Sequence, residues 1–214
     1  MADAVAQQSD EGSAFAVDPS LPARERLIVA AAHLFAEKSF GGVSVREICK
    51  LAGTGINMIH HYFGNKDGIR DAIIARFDEA VYAMPMRLLE NPAQSTDDLT
   101  ARIQLVFETT LEACLRERDV MMVVFREQAE LATLNAFQER FVAFLDDAKA
   151  KGLVRAELDT AMISGAMLDR IVSQAQFAPW IKRTTGVDVV TDAEYRRRWS
   201  ASNVDLYLYG IVAM

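Results

Sequence analysis

Apolar positions recur three and four residues apart along most of this chain, and nowhere do they alternate as in a strand. Between Ala23 and Lys38 the residues Leu27, Ala31, Leu34 and Phe35 form one stripe at helical spacing. From Ser44 onward the pattern predicts two shorter helices. The first opens on Ser44 with Glu47 three residues later, a capping-box signature, and places Val45, Ile48 and Ala52 on one face. Gly53 marks its end, since a glycine leaves a helix in the left-handed conformation at little cost. Thr54 is the expected N-cap of the second, Ile56 to Phe63, in which Ile59 and Phe63 face inward. A further helix starts at Asn65-Lys66-Asp67 and runs past Phe77, with Pro85 expected to kink or end it. Beyond Thr96 the pattern predicts helices over about 97–117, 119–131, 134–151, 159–178 and 192–212, broken at Pro92, Gly152, Pro179 and Gly186. Asp159 is an expected N-cap, and Thr191-x-x-Glu194 reads as a second capping box. The chain is therefore expected to be all-α.

Two short helices joined by a glycine turn are a helix-turn-helix arrangement. On the second of them Ile56, Asn57, His60 and His61 are left facing outward, close to Arg46, Lys50 and Lys66. Amide, imidazole and alkyl groups on an exposed helix beside cations suit the major groove of DNA.

The same stretch resembles a known family. Ile28-x-x-Ala31-x-x-Leu34-Phe35-Ala36-Glu37, Phe40, Ser44-Val45, Ile48-x-x-x-Ala52-Gly53, Ile59-x-x-Tyr62-Phe63 and Asn65-Lys66-Asp67 are similar to the DNA-binding domain of the TetR family of bacterial transcriptional regulators. The resemblance covers residues 24–70. It implies a three-helix helix-turn-helix domain at 23–70 and a helical effector-binding and dimerisation domain at 71–214, with residues 1–22 read as a disordered tail. Gly55, Asn57 and His60 depart from the family's usual residues, so no operator sequence carries over to this chain.

Candidate DNA contacts sort by role. Arg46 reaches toward a base or a phosphate. Ile56, Asn57 and Met58 open the recognition helix toward base edges, where Asn pairs with adenine and Ile or Met covers a thymine methyl. His60 and His61 suit phosphate, and His61 is also a candidate for a base edge. Tyr62 is divided between packing and a phosphate contact. Lys66 matches the family's phosphate-contacting lysine, which implies that its removal would flatten the salt dependence of binding by about one unit of slope.

The resemblance also implies a ligand-responsive homodimer on a near-palindromic operator. Its interface helices would be 159–178 and 192–212, and a small-molecule effector of unknown identity would lie among the middle helices. Candidate pocket residues are Phe107, Met121, Phe125, Phe137, Phe141 and Trp180, with Arg126 and Asp169 as polar anchors; ordinary core accounts for the aromatics equally well. The leading reading is a repressor released from its operator by the effector. The alternative is a helix-turn-helix protein acting through a protein partner, or architecturally, without an effector.

Composition alters this picture little. The 214 residues are 51% hydrophobic and 25% charged, as in ordinary globular proteins. The longest apolar stretch, Leu27 to Ala36, is interrupted by His33 and is about half the length of a membrane span. With no basic start or apolar core in residues 1–22, and with only Cys49 and Cys114, a cytoplasmic protein with reduced thiols is expected. No catalytic constellation, cofactor motif or metal spacing is evident, because adjacent His60 and His61 point about 100° apart on a helix. The net charge of −7 divides unevenly: −4 over residues 1–22, +3 over 23–70 and −6 over 71–214. The one positive segment holds the helix-turn-helix. Attraction to phosphate acts within a Debye length of ~8 Å, so acids elsewhere do not forbid it.

Overall fold

A computed structural model describes residues 15–209, and these form ten helices with no strand among them: α1 (Ala23–Lys38), α2 (Val45–Ala52), α3 (Ile56–Phe63), α4 (Lys66–Leu88), α5 (Thr96–Arg116), α6 (Arg118–Glu127), α7 (Ala132–Ala150), α8 (Thr160–Gln176), α9 (Ala178–Thr185) and α10 (Ala193–Tyr209). The expected tail falls in two parts. Residues 1–14 lie outside the described residues. Residues 15–22 lead into α1, with the Phe15 ring stacked 3.7 Å from that of His33 and Val17 packed on the core.

Helix α1 is the hub of the N-terminal part. Leu27, Ala30, Ala31 and Phe35 are fully buried, and the helix packs on α2, α3, α4 and α6. Helix α4, 23 residues and roughly 35 Å long, runs from the end of α3 to the far side of the molecule, touching α1, α3, α5, α6 and α7. Pro85 does not end this helix: it lies inside α4, which continues to Leu88. Burial of Val81, Tyr82 and Pro85 holds the last turns in place despite the missing backbone hydrogen bond. Behind α4, α5 packs against α8 and α10. Thr100 meets Tyr209 at 3.1 Å between hydroxyls, and Phe107 lies 5.9 Å from Trp199 between ring centroids, so α5 and α10 run antiparallel.

Two boundary expectations are corrected. Pro179 is not a simple break, because it occupies the first turn of a separate helix, α9, where a missing N–H costs nothing. The first turn of α10 is capped by Asp192, whose Oδ1 accepts from the Tyr195 amide at 2.8 Å; Thr191 and Glu194 do not form the expected box. The expected end at 212 lies outside the described residues, which reach Tyr209. Asp159 caps α8 as expected, accepting from the Met162 amide at 2.9 Å.

The start of α7 is satisfied from a distance. Its N-cap Leu131 offers no side-chain acceptor, and Asp78 of α4 takes that role, accepting from the Thr133 and Leu134 amides at 2.7 and 3.0 Å. Asp78 is only 7% exposed while Thr133 and Leu134 are half-buried, so water replaces the carboxylate only in part once it is removed. Asp78→Ala is expected to destabilise the fold by about 1–3 kcal/mol. Urea unfolding measures this, and a loss within error would mean that α7 closes its first turn unaided.

Candidate nucleic-acid interface

Helix α2 begins as its sequence dictates. The Glu47 amide donates to Ser44 Oγ at 3.2 Å, and the Ser44 amide donates to Glu47 Oε2 at 2.9 Å. Lys38 Nζ adds a contact to Glu47 Oε1 at 3.0 Å, tying the end of α1 to the start of α2. The Ser44 amide, the lysine and the Ser44 hydroxyl together lower the Glu47 carboxyl from its ordinary range to about 2. A folded-state value below the unfolded one stabilises at pH above ~4.5, and this is lost as pH falls toward 2. Glu47→Gln is therefore expected to remove part of the acid sensitivity of α2 between those limits. Unfolding followed against pH tests it, and identical acid limbs for the two proteins would count against the link.

The turn follows the expected route with one shift. Gly53 is left-handed (φ 61°), and the Thr54 amide returns to the Cys49 carbonyl at 2.9 Å. The N-cap of α3 is Gly55 rather than Thr54, and no side chain caps that end. Thr54 Oγ1 is instead turned inward, buried without a hydrogen-bond partner among the described residues.

Within α3, Ile59 is fully buried, and Met58 and Phe63 lie partly buried against the core. Met58 thus faces away from the outer surface on which it was expected. Ile56, Asn57, His60, His61 and Tyr62 are exposed, Ile56 at 41% and Tyr62 at 38%. The His61 and Tyr62 rings meet edge to face at 4.8 Å, which braces Tyr62 without burying it. His60 Nδ1 lies 2.8 Å from the Gly64 carbonyl at the end of the same helix. Arg46 and Lys50 are exposed on α2, and neither forms a salt bridge among the described residues.

Helix α4 is joined closely to α3. Asn65 caps it by accepting from the Gly68 amide at 2.9 Å. A Cβ on Gly68 would collide with the Phe63 carbonyl oxygen, so only glycine lets the α3 end approach the first turn of α4. Lys66 departs from its expected role. Its ammonium donates to the Phe40 and Val43 carbonyls at 2.9 and 3.0 Å and sits 4.3 Å from the Phe40 ring centroid. It fastens the α1–α2 connection, with two of its three donors engaged inward. Arg70 also lies against that ring, 4.8 Å from its centroid, and pairs with Asp67 and Asp71 at 3.2 and 3.0 Å.

The expected effector residues do not converge. Phe107, Met121, Phe137 and Phe141 are fully buried and pack as core: Phe137 lies 5.7 Å from Phe141 and 5.6 Å from Tyr82 between ring centroids. Phe125 and Asp169 are exposed. Arg126 is not a pocket anchor; its guanidinium donates to the Phe35 and Ala36 carbonyls at 2.8 and 3.1 Å, capping the C-terminal turn of α1. Trp180 lines a cleft of about 410 Å³ with Arg170, Ser173, Gln174, Phe177 and Ile181. Helical spacing of aromatics marks an inner face, but it does not distinguish a filled interior from a lined pocket. The link from Arg126 to α1 spans 91 residues and carries no local signal.

Two packed short helices with an exposed polar and cationic face, fastened to a larger helical body, define a helix-turn-helix DNA-binding protein. Comparison with known proteins agrees. The profile described as "Bacterial regulatory proteins, tetR family" matches residues 27–73. The HTH-type transcriptional regulator UidR of Escherichia coli K12 is 27% identical over 158 residues, covering 69% of this chain and 77% of UidR. Among solved structures, the TetR-family regulator PfmR of Thermus thermophilus superposes with a TM-score of 0.70 over 91% of this chain and 100% of its own, at 19% identity. Bacillus subtilis FadR, solved in complex with stearoyl-CoA, gives 0.63 over 88% and 99% at 19% identity. Residues 27–73 thus carry a TetR-type helix-turn-helix domain, the chain shares its fold with TetR-family regulators, and it is a DNA-binding transcriptional regulator.

Lysine and arginine on this face are therefore expected to separate into two kinds. Lys66→Ala should lower stability, by about 1–3 kcal/mol for two lost charge-assisted hydrogen bonds, and leave the salt slope of DNA binding unchanged. Arg46→Ala should leave stability intact and reduce that slope by about one unit. Binding titrations from about 50 to 200 mM salt, with thermal unfolding of the same variants, decide; exchanged behaviour would reverse the two roles.

Proposed function

We propose that this chain acts as a homodimeric repressor, released from a near-palindromic operator when a small molecule binds within residues 71–214. The exposed face of α3 carries the reading: with Ile59 locked in the core, Asn57, His60 and His61 point away from it, and Arg46 and Lys50 flank them without a salt bridge among the described residues. In this arrangement Asn57 and Ile56 face base edges, His61 a base or phosphate, and Arg46 and Tyr62 the backbone. Residues 23–70 form the reading head and 71–214 the regulatory part.

Dimerisation is supported by apolar side chains that α8 and α10 leave uncovered. Met162 is 71% exposed, and Leu206 and Tyr209 are 44% and 46% exposed. The heads of a two-fold dimer would enter the groove about one DNA turn, ~34 Å, apart. The reading includes a cytoplasmic location and no catalytic role. No described helix is long and apolar enough to cross a membrane.

Coupling between the two parts would run through α1, which α4 and α6 hold from the regulatory side. Arg126 and Asp119 of α6 reach Phe35, Ala36 and His33 of α1, the last at 3.3 Å. Arg76 of α4 pairs with Glu25 at 2.6 Å. Displacement of α6 or α4 by an effector would carry the reading head with it, favouring a state in which both half-sites cannot be engaged. Stearoyl-CoA, bound by the structurally similar FadR, supplies a first candidate class, the long-chain acyl thioesters.

The test is selection of bound sequences from a random duplex pool at physiological salt, followed by release of the selected duplex with a panel of acyl-CoA thioesters and other apolar metabolites. A two-fold-symmetric motif is expected, with operator affinity reduced roughly tenfold or more by one ligand class, a coupling of ordinary size. Arg126→Ala should retain the motif but lose most of that release. A symmetric operator unaffected by every ligand would favour the partner-protein reading. Absence of any motif would remove the repressor reading altogether.

A further inference from the structure

We infer that His60 is a specificity-determining residue that reads an amino group on a base, adenine N6 or cytosine N4, through a lone pair held outward on Nε2. The inference rests on α3 being the recognition helix. Its carrying observation is the contact of His60 Nδ1 with the Gly64 carbonyl oxygen at 2.8 Å. A carbonyl oxygen only accepts, so the ring nitrogen facing it must carry the proton. In a neutral imidazole that leaves Nε2 as an acceptor, which selects one tautomer of the two. The bond closes the C-terminal turn of α3, where Gly64 itself has no side chain to compete and returns its own amide to the His60 carbonyl at 3.2 Å. Ring orientation and tautomer are thus set by the same helix that would enter the groove.

Position on the helix aims this lone pair at DNA. His60 is exposed, and it lies four residues after Ile56 and three after Asn57, both exposed, about 100° around the helix from buried Ile59. Nε2 has no partner among the described residues. A phosphate offers only acceptors, so neutral His60 in this tautomer has no donor for it. The expectation that His60 contacts the backbone is therefore replaced. In the major groove the exocyclic amino groups of adenine and cytosine are the donors, and an outward acceptor pairs with these and not with guanine O6 or thymine O4.

Sequence selection from a random duplex pool at about pH 8, where an ordinary imidazole is neutral, tests the assignment with three proteins. The wild type should enrich a half-site with one position restricted to adenine or cytosine on the contacted strand. His60→Asn keeps a donor near the Nδ1 position and removes the outer acceptor. It should flatten that position alone and lower affinity for the selected duplex about 3- to 10-fold, as for one hydrogen bond. His60→Gln places an amide near the Nε2 position and should restore the preference, shifted toward adenine, with which glutamine pairs bidentately. An equal loss for all sequences in His60→Asn, an unchanged motif, or a position restricted to guanine or thymine would each overturn the assignment. A wild type that enriches no motif would overturn the recognition-helix reading and this assignment with it. Circular dichroism of the variants separates a weakened helix end from lost base reading, since only the former lowers binding without regard to sequence.

Discussion

Burial of α1 on two opposite sides is the constraint on which the rest of this molecule depends. Toward α2 and α3 it supplies the floor of a three-helix unit small enough that its own core is marginal. Toward α4 and α6 it forms part of the larger body, and Leu27, Ala30, Ala31 and Phe35 leave no surface between the two. The reading head therefore cannot tilt as an independent module without exposing that apolar stripe. Polar contacts refine the same junction: Arg126 on the carbonyls at one end of α1, Arg76 on Glu25 at the other, and His33 between Asp119 and Glu37.

The division between engaged and free cations follows from this packing. Lys38, Lys66, Arg70 and Arg126 all lie near the helix-turn-helix, yet each is tied to a carboxylate or a carbonyl. Their function is to hold the α1–α2 connection, the first turn of α4 and the end of α1. Arg46 and Lys50, both exposed, form no salt bridge among the described residues. A positive segment in an acidic chain is thus partly internal glue: the +3 over residues 23–70 includes the Lys66 ammonium, whose donors are turned inward to two carbonyls.

Local signals in the chain are legible because both partners lie within one turn. The Ser44–Glu47 box, the left-handed Gly53 and the Asp159 cap each involve residues no more than a few positions apart, and the helical pattern places most elements to within two or three residues. Contacts whose partners are distant leave no such mark. Asp78 caps a helix 55 residues away, Lys66 reaches back 26, and Arg126 reaches back 91. Nothing in the identity of an aspartate, a lysine or an arginine announces such a partner. The effector candidates scatter for a related reason: Phe107, Phe137 and Phe141 have the spacing of an inner face, and the helices close over them completely. Pro85 and Pro179 show that tertiary burial and position in the first turn decide what a proline does, beyond its intrinsic cost.

A tightly fastened head also limits how such a regulator can respond. Within the head, Gly68 against the Phe63 carbonyl, Lys66 on the loop and Ile59 in the core leave α3 little freedom to change its own conformation. A signal from the regulatory part would therefore act on the placement of the whole head rather than on the shape of its reading surface. In a two-fold dimer, small displacements of two rigid heads alter the distance between half-sites while leaving each half-site contact intact. Specificity would then be a property of α3 alone, and occupancy a property of the separation, so either could change by substitution without disturbing the other.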